Sequence, residues 1–101
     1  MTAYSPEDVF NFAKDGDKVN LLAAISYGDN RTNWFRNYIR ETALHMAAAK
    51  GHIECIRVLL HNDANVDITN RCCEPPSHYA ADNGHTECLR LLLGIYRIHF
   101  D

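Results

Sequence analysis

Residues 47–60 read AAAKGHIECIRVLL, and residues 80–93, thirty-three positions further on, read AADNGHTECLRLLL. The shared pattern is Ala-Ala-x-x-Gly-His-x-Glu-Cys-x-Arg-x-Leu-Leu. Widening the frame to 41–63 against 74–96 keeps eleven identities in 23 positions, which marks a tandem unit of period 33. Two segments of the unit, 42–50 and 52–61, carry helical patterning, and Ile53, Ile56, Leu59 and Leu60 fall on one side of the second. Gly51 between them suits a left-handed turn, and the alanines let two helices lie close together. The unit is therefore predicted to be a helix, a tight turn and a second helix.

Upstream, Ser5-Pro6-Glu7-Asp8 is a helix start: a capping serine, proline in the first turn and acids at the positive end of the dipole. Phe12-Ala13-Lys14-Asp15-Gly16-Asp17 then repeats the turn in degenerate form, with Val19, Leu21, Leu22 and Ile25 expected to supply the next helix. Gly16 and Gly51 are two residues too far apart for the period, which puts an insertion within Tyr27–Arg40. No Gly, Ser or Pro-rich gap separates the units. The expectation is one domain over 1–101, with units at about 5–36, 37–69 and 70–101.

Thr42-Ala43-Leu44-His45-Met46-Ala47-Ala48, followed by Gly51-His52 and Ala64-Asn65-Val66-Asp67, resembles the ankyrin repeat, whose signature is Thr-Pro-Leu-His-x-Ala-Ala, Gly-His and Gly-Ala-Asp-Val-Asn. The resemblance implies an all-α solenoid of stacked helix–turn–helix units whose connections project as β-hairpin fingers. It also implies a structural, hydrogen-bonding role for His45. The third unit departs from the signature: Pro75 replaces the capping threonine, Ser77 the buried leucine, and Cys73 a glycine suited to positive φ. That unit is expected to open first. The stretch 94–101 holds four apolar residues where a terminal repeat usually turns polar. Either the chain begins a longer array or its tail folds back over the last unit.

With thirteen acidic against ten basic residues, the formal charge of −3 gives no general attraction for nucleic acid. No apolar run approaches the ~20 residues that span a bilayer, and the first residues lack a basic n-region. A cytoplasmic or nuclear protein is expected. Cysteines at 55, 72, 73 and 88 lack the spacing of a secreted disulfide scaffold, so reduced thiols are expected. His52-x-x-Cys55 and His85-x-x-Cys88 could be metal half-sites, because residues three apart share a helix face. The resemblance instead puts both histidines in the turn and both cysteines in the core, and no metal or other cofactor is expected. Cys72-Cys73 has only Arg71 nearby to stabilise a thiolate. No spacing marks a nucleophile with its base, and no phosphate loop appears, so the chain is not expected to be an enzyme.

One segment stands apart. Residues 31–40 hold Arg31, Arg36 and Arg40, the aromatics Trp34, Phe35 and Tyr38, and no acid. Exposed Trp, Tyr and Arg are enriched at binding hot spots. Two readings stay open: a protein-binding finger, or aromatics that cover the incomplete first unit. Nucleic acid or phosphoinositide binding is a third, disfavoured by the overall charge. The family pattern implies contact positions at Tyr38, Ile39, Glu41, Ala49 and Lys50, then Arg71, Cys72, Glu74, Asp82 and Asn83. The expected function is a scaffold or adaptor that binds a partner protein of unknown identity, as a monomer or with end-to-end self-association through the third unit. The runner-up is the amino-terminal regulatory or substrate-recruiting array of a larger enzyme such as a kinase or ubiquitin ligase component.

Overall fold

The structure, a computed structural model, describes residues 4–28, 32–34 and 37–94. Among them are six helices and no strand: α1 (Pro6–Asp15), α2 (Lys18–Tyr27), α3 (Ala43–Lys50), α4 (Ile53–His61), α5 (Pro76–Asp82) and α6 (Thr86–Leu93). Each odd-numbered helix packs on the even-numbered helix after it. Along the chain α1, α3 and α5 form one row and α2, α4 and α6 a second. None of the described helices is long and apolar enough to cross a membrane.

Local chemistry sets the helix ends. Ser5 caps α1 in a reciprocal box with Asp8, and Gly16 closes that helix at φ 76°. Thr42 caps α3 through the His45 amide, and Gly51 closes it at φ 78°. The insertion in the first connection is shared out: α2 has ten residues against nine in α4, and the link 28–42 is one residue longer than 62–75.

The core runs between the rows. Ala13, Ala24, Ala47, Ala48 and Ala80 are completely buried where helices approach, and Leu21, Leu44, Ile56 and Leu59 fill the space between pairs. Each such aliphatic side chain stabilises the fold by about 1.5–3 kcal/mol. In α2 only Leu21 and Ile25 are inside, whereas Val19 is 76% and Leu22 45% exposed. With Gly16 aligned on Gly51, these two occupy the positions of Glu54 and Arg57, both exposed. Helical spacing alone had placed all four in the core.

The repeated Gly-His has a contact that explains it. A Cβ on Gly16 would stand 2.8 Å from the His52 ring, and one on Gly51 would stand 2.7 Å from the His85 ring. His85 Nε2 lies 3.1 Å from the Ala49 carbonyl. Each turn histidine thus seats on the glycine of the unit before it, and the missing Cβ makes room for the ring.

Cys55 and Cys88 are 1% and 2% exposed, and burial pushes both thiols up. Cys72 and Cys73 are exposed at a turn. A maleimide added to the native, reduced chain is expected to label Cys72 and Cys73 quickly and the other two only after denaturation, since a buried thiol is both screened and protonated. Mass spectrometry of the labelled peptides checks this, and rapid native labelling of Cys55 would contradict the core assignment.

In the third unit Pro75 offers no side-chain cap to α5. Ser77 is half-buried where its counterpart Leu44 is 1% exposed. Cys73 has φ 62°, the left-handed conformation expected of it, and Arg40 one unit earlier has φ 66°.

Candidate protein-binding surface

The row α1, α3, α5 and the turns beside it carry a shallow trough. It consists of two hollows of about 330 Å³ each that share Glu41 and Met46; one extends to Phe10 and Lys14 of α1, the other to Lys50, Tyr79 and Asp82.

Two turns of the same design flank the trough. Asn37 Oδ1 accepts from the Glu41 amide at 3.2 Å while its Nδ2 donates to Glu41 Oε1 at 2.9 Å. Thirty-three residues later Asn70 Oδ1 accepts from the Cys72 and Glu74 amides, and its Nδ2 donates to Glu74 Oε1 at 2.9 Å. The asparagine side chain thereby holds the turn that Arg40 and Cys73 complete without glycine. The turns are tied to each other: the Arg71 amide donates to the Ile39 carbonyl at 2.9 Å, and the Arg71 guanidinium donates to the Tyr38 carbonyl.

Tyr79 crosses between the units. Its hydroxyl donates to Glu41 Oε2 at 2.8 Å and accepts from Asn70 Nδ2 at 2.8 Å. Burial first, and then the bond to Glu41, push the phenol up to about 12. The ring stands edge-on to His45, with centroids 4.9 Å apart.

His45 is the buried anchor below. Nδ1 accepts from the Thr42 amide at 3.2 Å, so the proton sits on Nε2, which donates to the Glu74 carbonyl at 2.8 Å. The Thr42 hydroxyl donates to Nδ1 at 2.9 Å and accepts from the His45 amide. Burial holds the imidazole below its ordinary 6.5, and the bond to the Glu74 carbonyl together with the Glu41 and Glu74 carboxylates recovers only part of the shift. The unfolded chain therefore binds more protons than the folded one in the window just below 6.5. This contribution to stability is complete above 6.5 and is lost as the pH falls, by at most about 1.4 kcal/mol per pH unit. Urea midpoints measured from pH 7 to 5 are expected to fall, with a shallower fall in His45→Gln relative to its own value at pH 7; equal slopes would remove His45 from the account.

In the third unit the matching histidine does something else. His78 lacks a threonine to cap, lies at the surface, and faces Glu74 at 3.4 Å and Asp82 at 3.6 Å.

The residues singled out in the sequence fall into three groups. Glu41, Ala49, Lys50, Glu74, Asp82 and Asn83 come together on one hollow of the trough. Tyr38, Ile39, Arg71 and Cys72 lie at the two turns, with Tyr38 83% exposed. Trp34, 40% exposed, follows Thr32 and Asn33, which bond to the Asn62 and Asp63 carbonyls at the end of α4. Arg31, Phe35 and Arg36 lie outside the described residues, as does the tail 95–101. Glu41 and Glu74 are half-buried and committed to the turns, and Ala49 gives its carbonyl to His85. Lys50, Asp82 and Asn83 are exposed.

Sequence reasoning passed over Tyr79, Met46, Asn37 and Asn70. The asparagines had a signal, because Asn-x-x-x-Glu recurs at 37–41 and 70–74. Among the described residues no group of three or more His, Cys, Asp or Glu is placed to hold a metal ion. The histidine and cysteine of each suspected half-site have separate surroundings, His52 on Gly16 and Cys55 in the core.

Comparison with known proteins agrees with this architecture. Probable E3 ubiquitin-protein ligase XBOS33 of Oryza sativa subsp. japonica is 36% identical over 70 residues, which is 67% of this chain and 13% of that protein. Probable E3 ubiquitin-protein ligase XBOS31 of the same organism is 39% identical over 64 residues, 63% of this chain and 14% of that protein. The chain thus spans about one seventh of the length of these relatives. The family model for ankyrin repeats in many copies matches residues 37–93, more than half of the sequence, and the chain belongs to the ankyrin-repeat family.

Proposed function

We propose that the chain is a non-catalytic scaffold or adaptor module that binds a partner protein across the trough of α1, α3 and α5 and the two turns beside it. In this reading the chain is a single domain of three units, a short solenoid whose turns at 37–40 and 70–73 are the tips of hairpin fingers. One observation supports it most. Tyr38, Lys50, Asp82 and Asn83 are exposed along the trough and turns, while the scaffold beneath leaves no buried side-chain polar atom without a partner among the described residues. Side chains presented this way can vary without harm to the fold. The surface is mixed in charge, with Lys14 and Lys50 toward the first unit and Glu74 and Asp82 toward the third.

The test starts from a protein captured by the full chain, purified and titrated back. Reversing charge at Lys50→Glu and Asp82→Lys is expected to weaken that complex tenfold or more and leave the thermal midpoint in place. An unchanged Kd would end the reading. Ankyrin-repeat domains are typically non-catalytic, and the ligase names of the relatives are compatible with a second reading, an array that recruits substrate for a larger enzyme. Ubiquitination of the captured protein that depends on this chain would select it.

A further inference from the structure

Each unit of the chain is a control for the next. Between the second and third units the joint is closed: Ala48 and Ile56 are fully buried, Gly51 is covered by the His85 ring, and His85 Nε2 reaches the Ala49 carbonyl. Thirty-three residues later the same face is open. Ala81 is exposed and Leu89 only half-buried. Gly84 keeps the left-handed φ of 72°, and no atom of the described residues lies within 4 Å of where its Cβ would be. Beside it Leu60, Ala64, Val66, Leu91 and Leu93 line an apolar hollow of about 340 Å³, and Leu93 is 55% exposed.

We propose that this face of the third unit is a second binding site, distinct from the trough, which docks a helix–turn–helix unit of a partner repeat protein through a histidine in that unit's turn. The molecule itself shows what the slot takes. At Gly16 and again at Gly51 it is filled by an imidazole from the next turn. At Gly84 the incoming ring would donate from Nε2 to the Asp82 carbonyl, the counterpart of Ala49. Its helices would cover Ala81 and Leu89 as the third unit covers Ala48 and Ile56. A second copy of this chain does not meet the requirement. Its first unit presents Asp17 after the turn glycine where the other two present His52 and His85. A carboxylate has no proton to give a carbonyl and adds charge to an apolar joint.

The probe is a synthetic peptide copying residues 37–69, which carries Gly51-His52, added to the full chain. Because a unit of this length folds only against a neighbour, the same unit is also joined to the end of the full chain by a flexible linker, which raises its effective concentration to the millimolar range. The expected result is amide exchange slowed at least tenfold at Ala81 and Leu89. His52→Ala in the probe, or Ala81→Glu in the chain, is expected to remove that protection. Ala81 is exposed, so glutamate there leaves the helical signal and thermal midpoint of the unbound chain in place. The proposal fails if the joined unit leaves exchange unchanged, or if protection survives both substitutions. It fails equally if the chain alone forms a dimer that Ala81→Glu dissolves, which makes a second copy the occupant. Faster exchange at Ala81 and Leu89 on deletion of residues 95–101 alone would assign the face to the chain's own tail and also overturn it.

Discussion

His45→Ala is expected to destabilise the chain by about 3 kcal/mol or more, a large share of the total for a domain of this size. The side chain is completely buried, and its loss strands groups on two units at once. The Thr42 amide and hydroxyl lose their partner at Nδ1, and the Glu74 carbonyl loses the Nε2 proton. Each buried group left unpaired costs about 1–3 kcal/mol. His78→Ala removes the same residue type one unit later, from an exposed site with contacts only to Glu74 and Asp82, and is expected to cost under about 0.5 kcal/mol. Urea unfolding of the two variants gives the comparison. Equal losses would mean that the inter-unit bond to Glu74 does not hold the stack together.

The second large effect separates two glycines of nearly the same conformation. Gly51 and Gly84 have φ of 78° and 72°, so alanine at either bears the left-handed strain of about 1 kcal/mol. At Gly51 the new methyl would also stand 2.7 Å from the His85 ring, whereas at Gly84 no described atom lies within 4 Å. The ring must move, and with it goes the bond to the Ala49 carbonyl. Gly51→Ala is therefore expected to cost about 3 kcal/mol in all and Gly84→Ala about 1. Their thermal midpoints should differ by roughly 10 °C. A double variant, Gly51→Ala with His85→Ala, relieves the clash and should recover part of the difference. No recovery would place the cost elsewhere.

How far the sequence could be read depended on how local each feature is. Caps at Ser5 and Thr42 and the turns at Gly16 and Gly51 are set by residues within a few positions of one another, and all four appear where the motifs put them. The position of Val19 and Leu22 was not legible, because helical spacing says which residues share a face and not which face turns inward. The left-handed turn at Cys73 was read from a missing glycine, yet its equivalent Arg40 was not, although a period of 33 links them. The trough was legible only in outline. Tyr79 meets Glu41 across 38 residues and His85 meets Ala49 across 36, pairings that periodicity permits but does not announce. Glu41 and Glu74 look like free surface acids in the sequence, and the asparagine four residues before each holds it in a turn.

The bond from the Arg71 amide to the Ile39 carbonyl bears on the kinetics of recognition. Loops that order only on contact charge their lost freedom against the affinity, at about 0.5–1.5 kcal/mol for each side chain immobilised. Here the two turns are fastened to each other and to their own asparagines before any partner arrives, so the backbone of the ledge between Tyr38 and Cys72 is preorganised. Substitutions at its exposed side chains should then change how long a complex lasts far more than how fast it forms.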